Sequence, residues 1–178
     1  MNKFIPMPDL TLLKTYLKID PMSPSGLAWI KSYTNRIKVN TAAGSKSNYW
    51  SLKFKGITYA VHRLVYFMAH ETDPGCFDVE HKDCNKYNNN VENLRLATRQ
   101  LNNANTRSAK NSSSIYKGVH WNKKLSKWSA CITKDYKQIY LGLFESEEEA
   151  ALAYNKQAEL LYGDYALLNE VDEICKAV

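Results

Sequence analysis

The chain has 178 residues, enough for one domain or two small ones, and a formal net charge of +6 with a pI near 9.0, which favours an anionic partner. No apolar run approaches the roughly 20 residues that span a bilayer, and no basic segment followed by an apolar stretch marks a secretory signal, so nucleic acid in a cytoplasm is favoured over a membrane. The four cysteines, Cys76, Cys84, Cys131 and Cys175, form no C-x-x-C pair, which argues against a zinc knuckle and for reduced thiols.

Residues 1–48 carry weak signals: a short helix over Leu10–Leu17, an interruption at Pro21 and Pro24, and a strand at Leu27–Ile30. From Trp50 the pattern is clearer. Trp50, Leu52 and Phe54 alternate with Ser51, Lys53 and Lys55, as in a half-buried strand. Lys55-Gly56 then turns the chain into Ile57, Tyr59 and Val61, which completes a hairpin. Leu64, Val65, Phe67 and Met68 have helical spacing and end before Asp73-Pro74-Gly75. A strand at Asp78–His81, a polar loop, a strand at Leu94–Ala97 and a helix capped by Thr98 follow. Asn102, Asn103 and Asn105 sit in that helix against their propensity, the kind of local conflict that marks functional sites.

The segment around His81 carries the chemistry. Glu80 precedes it, and an Asn-rich loop (Asn85, Asn88, Asn89, Asn90, Asn93) follows. A carboxylate and amide oxygens suit a hard cation such as Mg²⁺, and an imidazole can take a proton from water near pH 7. The run Val79-Glu80-His81-Lys82-Asp83-Cys84-Asn85-Lys86, then Asn88-Asn89-Asn90-Val91-Glu92-Asn93-Leu94-Arg95 and Ala97-Thr98, resembles the HNH endonucleases. It is most similar to the phage and intron homing type, whose pattern reads roughly DHIDGNKxNNxxENLRxxT.

The resemblance covers residues 50–105 and implies a ββα-metal nuclease that hydrolyses phosphodiester bonds in double-stranded DNA with Mg²⁺, or Mn²⁺ in its place. It makes His81 the general base and Asn93, twelve residues on, the catalytic-site residue that fastens the loop. Glu80 and Asn102 become the metal ligands, with Asn103 and Asn105 as the alternatives for the helix position. Glu80 stands where the family has Asp, the same charge on a longer arm. His62-Arg63-Leu64-Val65 also occurs in the family, and Arg63 is then a candidate phosphate contact, His62 a packing histidine.

Thr106–Ser114 is rich in serine, lysine and asparagine and reads as a linker. Beyond it, Val119 and Trp121, then Trp128, Ala130 and Ile132, then Ile139, Leu141 and Leu143 predict three strands with one apolar face. Ser146 and Glu149 form an S-x-x-E capping box. Ala150, Ala153, Tyr154, Ala158 and Leu161 make a helical stripe ended by Gly163. Trp121 and Trp128 are expected in the core. Gly118-Val119, Lys127-Trp128-Ser129-Ala130, Tyr140-Leu141-Gly142, Phe144, Glu148-Glu149-Ala150-Ala151, Ala153-Tyr154, Tyr162-Gly163 and Leu168-Asn169 resemble the APETALA-type DNA-binding domain of plant ethylene-response factors. That domain implies a DNA-facing sheet, here with Lys117, His120, Lys123, Lys124, Lys127, Thr133, Gln138 and Tyr140 as DNA-binding candidates. The plant domains read bases with Arg and Trp, so their recognition sequence does not carry over.

The expected organisation is therefore α+β. A nuclease domain over 1–105 and a linker over 106–114 lead to a three-stranded antiparallel sheet packed on one helix over 115–170, with a tail over 171–178. The expected protein is a homing-type DNA endonuclease in the cytoplasm of a host cell, phage-encoded, acting as a monomer or weak homodimer. One active site per chain nicks one strand. A non-catalytic DNA-binding regulator with a decayed nuclease half is the alternative, supported by Glu80, and a virion or host-interaction protein with a basic surface is a third.

Overall fold

The computed structural model describes residues 5–109 and 111–171. Lys110 in the expected linker, and residues 172–178 of the expected tail with Cys175, lie outside the described residues. The chain mixes helices with small antiparallel sheets and divides into two compact units, 1–98 and 99–178.

In the first unit, helix α1 (Leu10–Tyr16) starts on Asp9, whose carboxylate accepts from the Leu12 amide, and leads into strand β1 (Leu17–Ile19). β1 pairs antiparallel with β2 (Leu27–Trp29). Next comes a three-stranded sheet of β3 (Ser45–Lys46), β4 (Trp50–Phe54) and β5 (Ile57–Ala60). Lys55 and Gly56 both have positive φ, 46° and 88°, the geometry of a two-residue hairpin turn that matches strand twist. Helix α2 (Val61–His70) follows directly, and β6 (Asp78–His81) pairs with β7 (Leu94–Ala97) across the polar loop.

The apolar positions of these elements converge. Leu13, Leu17, Leu27, Trp29, Leu52, Phe54, Leu64, Val65, Val79 and Leu94 form one buried cluster. Each large side chain so buried contributes about 1.5–3 kcal/mol. The weakly patterned N-terminal segment is thus part of the core that supports β6 and β7. Trp50, expected to alternate inward with Leu52 and Phe54, is only half-buried.

The second unit begins with helix α3 (Arg99–Ala104). The sequence pattern groups this helix with the nuclease half, yet Leu101 and Ala104 pack with Ile132, Tyr154, Ala158 and Tyr162. Strands β8 (Val119–Asn122), β9 (Lys127–Lys134) and β10 (Lys137–Phe144) form an antiparallel sheet in the order β10-β9-β8. Helix α4 (Glu147–Tyr162) covers one face. Its capping box is complete, with Ser146 Oγ accepting from the Glu149 amide and the Glu149 carboxylate from the Ser146 amide. The buried stripe runs through Ala150, Ala151, Tyr154, Ala158 and Tyr162. Ala151 and Tyr162 therefore stand where Ala153 and Leu161 were expected. Gly118 (φ +76°) lets the start of β8 approach α4, since a Cβ there would lie 2.1 Å from the Tyr154 ring.

Candidate active site

The β6–β7 ribbon is the frame. Its register sets Glu80 opposite Arg95 and His81 opposite Leu94. Adjacent strand residues point to opposite faces, so Glu80 and His81 look away from each other, yet both are buried, at 3% and 7% exposed.

On one face the Arg95 Nε donates to the Glu80 carboxylate, a partly buried cross-strand ion pair. On the other, His81 sits in a polar and aromatic pocket. Its Nε2 lies 2.9 Å from Asn89 Oδ1, and Asn89 Nδ2 donates to the Ser25 carbonyl at 2.9 Å. The carbonyl of Ser25 can only accept, so it orients the carboxamide with its oxygen toward the ring. An amide oxygen also only accepts, so Nε2 carries the hydrogen and the lone pair of the neutral imidazole falls on Nδ1. Asn89, 3% exposed, was only a loop asparagine in the sequence. Its signal was faint: a polar residue among several identical neighbours.

Gly26 completes this support. It has φ +80°, and a Cβ on it would come within 2.9 Å of Asn89 Cβ and 3.0 Å of the Asn89 carbonyl oxygen. The turn after β1 therefore abuts Asn89.

The His81 ring is also packed against Tyr49, with centroids 6.4 Å apart and nearly parallel planes, and edge-on to His62 at 5.1 Å. Burial pulls the His81 pKa below its ordinary value, while the Asn89 bond and the Asp83 charge oppose that without cancelling it. Burial, helped by the charges of His81 and Arg63, lowers His62 to about 3. Both rings are therefore neutral at neutral pH.

Asn93 ties down the loop after His81. Its Nδ2 donates to Asp83 Oδ1 (2.9 Å) and the Asn88 carbonyl (2.8 Å), and its Oδ1 accepts from the Asp83 amide (3.1 Å). Its own carbonyl accepts from the Lys82 amide at 2.9 Å. Burial by itself would raise the Asp83 carboxyl; the bonds from Asn88, the Asn85 amide and Asn93 more than reverse that and hold it low. Cys84, at the tip, has φ 58°, a left-handed conformation that suits the glycine of the quoted homing-type pattern better than a side chain.

Glu80, His81 and Asn93 are thus gathered in one hairpin, while Asn102 lies on α3 in the second unit, half-buried. Arg63 braces the backbone. Its Nη1 donates to the Phe77 carbonyl (2.7 Å) and its Nη2 to that of Gly75 (2.8 Å), holding the entry to β6. Among the described residues no three His, Cys, Asp or Glu side chains gather around a point. The oxygen donors of this hairpin are the Glu80 and Asp83 carboxylates and the Asn89 and Asn93 carboxamides, hard ligands of the kind a magnesium-like cation takes.

In the second unit, His120, Thr133, Gln138 and Tyr140 are exposed. Gln138 Nε2 donates to Cys131 Sγ at 2.9 Å, and His120 Nδ1 lies 4.0 Å from the same sulfur, so the three strands share that face. Lys123 and Lys124 are exposed in the β8–β9 turn. Lys127 pairs with Glu145 at 2.6 Å. Lys117 Nζ donates to the Asn103 and Ala104 carbonyls at the end of α3, as cations do at helix C-termini. Trp121, expected in the core, stacks edge-on with Trp128 at 5.1 Å but stays 38% exposed.

The HNH endonuclease family model matches residues 59–104, from β5 through α3. The chain is also 30% identical over 105 residues to Protein 3.8 of Escherichia phage T7, across 59% of this chain and 86% of that protein. The chain therefore carries an HNH endonuclease domain over residues 59–104. This HNH chain is further similar to a mimivirus protein of Acanthamoeba polyphaga named "Uncharacterized HNH endonuclease L560", 38% identical over 113 residues. That match covers 63% of this chain and 58% of the relative's own length. No solved structure matches the chain significantly. Among the described residues no helix is long and apolar enough to cross a membrane.

Proposed function

We propose that the protein is a metal-dependent DNA endonuclease of the HNH homing type, with His81 as the general base. The observation that carries this reading is a buried imidazole held by Asn89 within the family-matched hairpin, with Glu80 buried on the opposite face of the same strand. With Nε2 bound to Asn89, Nδ1 takes the proton from a water that attacks a phosphodiester. Asn93 keeps the following loop in place.

Glu80 and Asn102 would hold Mg²⁺, or Mn²⁺, which supplies charge stabilisation for the leaving oxygen. Glu80 would then share its carboxylate with Arg95. The chain order β6, loop, β7, α3 supports a ββα-metal arrangement. The sheet β8–β10, backed by α4 and exposing His120, Thr133, Gln138 and Tyr140, supports an APETALA-type DNA-binding module with Lys123, Lys124, Lys127 and Lys117 near phosphates. Double-stranded DNA is the substrate. The viral relatives favour a phage-encoded protein acting in host cytoplasm, as a monomer that nicks or a weak homodimer that cuts both strands.

Incubating supercoiled plasmid with the protein and Mg²⁺ tests this. Wild type should relax or linearise plasmid, and His81→Ala or EDTA should reduce the rate by about 10²-fold or more. Equal conversion in all three samples removes the enzyme reading. The Glu80–Arg95 pair favours one rival, a DNA-binding regulator with a decayed nuclease half. It predicts salt-sensitive DNA binding with no metal-dependent cleavage.

A further inference from the structure

Two separate segments meet beside His81 in a crossed arrangement. The end of β3 contributes Lys46, the turn to β4 Tyr49, and the loop after β6 Lys86 and Tyr87. Lys46 Nζ lies 4.2 Å from the Tyr87 ring centroid, and Lys86 Nζ lies 5.3 Å from that of Tyr49. The Tyr87 hydroxyl donates to the Ser47 carbonyl at 3.0 Å, which fastens the two segments together. Tyr49 in turn faces both His62 (5.4 Å) and His81 (6.4 Å).

Tyr49 is 45% exposed, an unusual position for a ring serving only to pack. Over residues 45–50 and 81–88 the sequence has three lysines, Lys46, Lys82 and Lys86, against one carboxylate, Asp83. The Asp83 oxygens accept from Asn88, Asn93 and the Asn85 amide. Cations held over aromatic faces keep their charge and lose freedom, so they are ordered for a second anionic partner. An ordered pair of ammonium groups around an exposed ring suits a sugar–phosphate backbone, with the ring against sugar or base.

We propose that Lys46, Lys86 and Tyr49 grip the DNA backbone next to the phosphate presented to His81. This rests on the nuclease reading of the same site and gives it its substrate contacts in the first unit. Lys46 and Tyr49 carried no signal in the sequence and Lys86 only as part of the HNH-like run, while the DNA-binding candidates were Arg63 and residues of the C-terminal sheet. Lys46 and Tyr49 precede the segment that matches the HNH family.

The test uses the full chain carrying His81→Ala, so that binding is measured without cutting, on duplex DNA by fluorescence anisotropy across a salt series. Each lost phosphate contact lowers the slope of log K against log salt by about 0.9. Lys46→Ala with Lys86→Ala should therefore lower it by about 1.8, and Tyr49→Ala should weaken binding with the slope retained. Lys38→Ala with Lys53→Ala makes the same charge change at exposed positions elsewhere in the unit and should leave the slope in place. An unchanged slope in the Lys46/Lys86 pair, an equal change in both pairs, or no duplex binding by the parent overturns the proposal. Plasmid cleavage by the chain with His81 intact is scored separately. Loss of slope in the Lys46/Lys86 pair without any cleavage keeps the clamp and discards the nuclease.

Discussion

At the level of single residues, the hydrogen bond from His81 to Asn89 fixes the tautomer and orientation that a general base at this position would need. Asn89 is itself buried and bonded on its other side to Ser25. Asn89→Ala leaves the Ser25 carbonyl and the His81 Nε2 without that partner, which costs about 1–3 kcal/mol per group. The expected result is a lower denaturation midpoint together with a fall in kcat on plasmid that exceeds any rise in KM. A KM-only effect would give Asn89 a different role. His62 provides a pH signature of the same pocket. Its folded pKa, about 3, lies below the ordinary unfolded value near 6.5. The unfolded chain therefore binds the proton first. Stability from this group is complete above about pH 6.5 and is lost as the pH falls toward 3. The loss has an upper bound of about 1.4 kcal/mol per pH unit. His81, also lowered, adds in the same direction. Urea midpoints at pH 7.5 and 5.0 should differ more for wild type than for His62→Phe; parallel shifts would show that His62 takes up its proton as readily in the folded protein as in the unfolded one.

At the level of elements, the hairpin β4–β5, helix α2, strands β6 and β7, and the capped helix α4 were all legible. Each rests on local signals: alternation, a two-residue turn, helical spacing, a capping box. The placement of His81 and Glu80 on one strand was legible for the same reason, and the bonds of Asn93 to its loop are of the kind the family resemblance implied. What could not be read was contact between distant segments. Asn89 is one asparagine of three in a row, and only Ser25, 64 residues earlier, distinguishes it. The same holds for Arg63, whose guanidinium meets carbonyls at Gly75 and Phe77, and for Tyr49 against His81. The turn between β1 and β2 carries an element-level prediction. Gly26→Ala places a methyl 2.9 Å from Asn89 Cβ at φ +80°, where neither strain nor clash is relieved without moving Asn89. It should destabilise by more than about 1 kcal/mol. Plasmid cleavage should fall as well, under conditions where circular dichroism shows the variant folded. Full activity in a folded variant would mean that the buttress behind Asn89 does not matter to His81.

At the level of the whole molecule, the boundary between the units decides how the chain is taken apart. The serine-rich stretch 106–114 has the composition of a linker, but the compact units divide between Thr98 and Arg99. The physical reason lies in α3. Leu101 and Ala104 complete an apolar cluster with Ile132, Tyr154, Ala158 and Tyr162, the Leu167 amide donates to the Ala104 carbonyl, and Lys117 caps the helix end. A fragment beginning at residue 108 exposes that cluster and leaves Lys117 without the carbonyls it bonds; a fragment beginning at 99 keeps both. In a unit of this size a few kcal/mol decides whether a stable fold survives. Residues 99–178 should therefore unfold cooperatively with a Tm higher by several degrees than residues 108–178, measured by circular dichroism at equal concentration. Equal Tm values would show that α3 adds nothing to the second unit and would return it to the nuclease half, where the family resemblance expects Asn102 as a ligand.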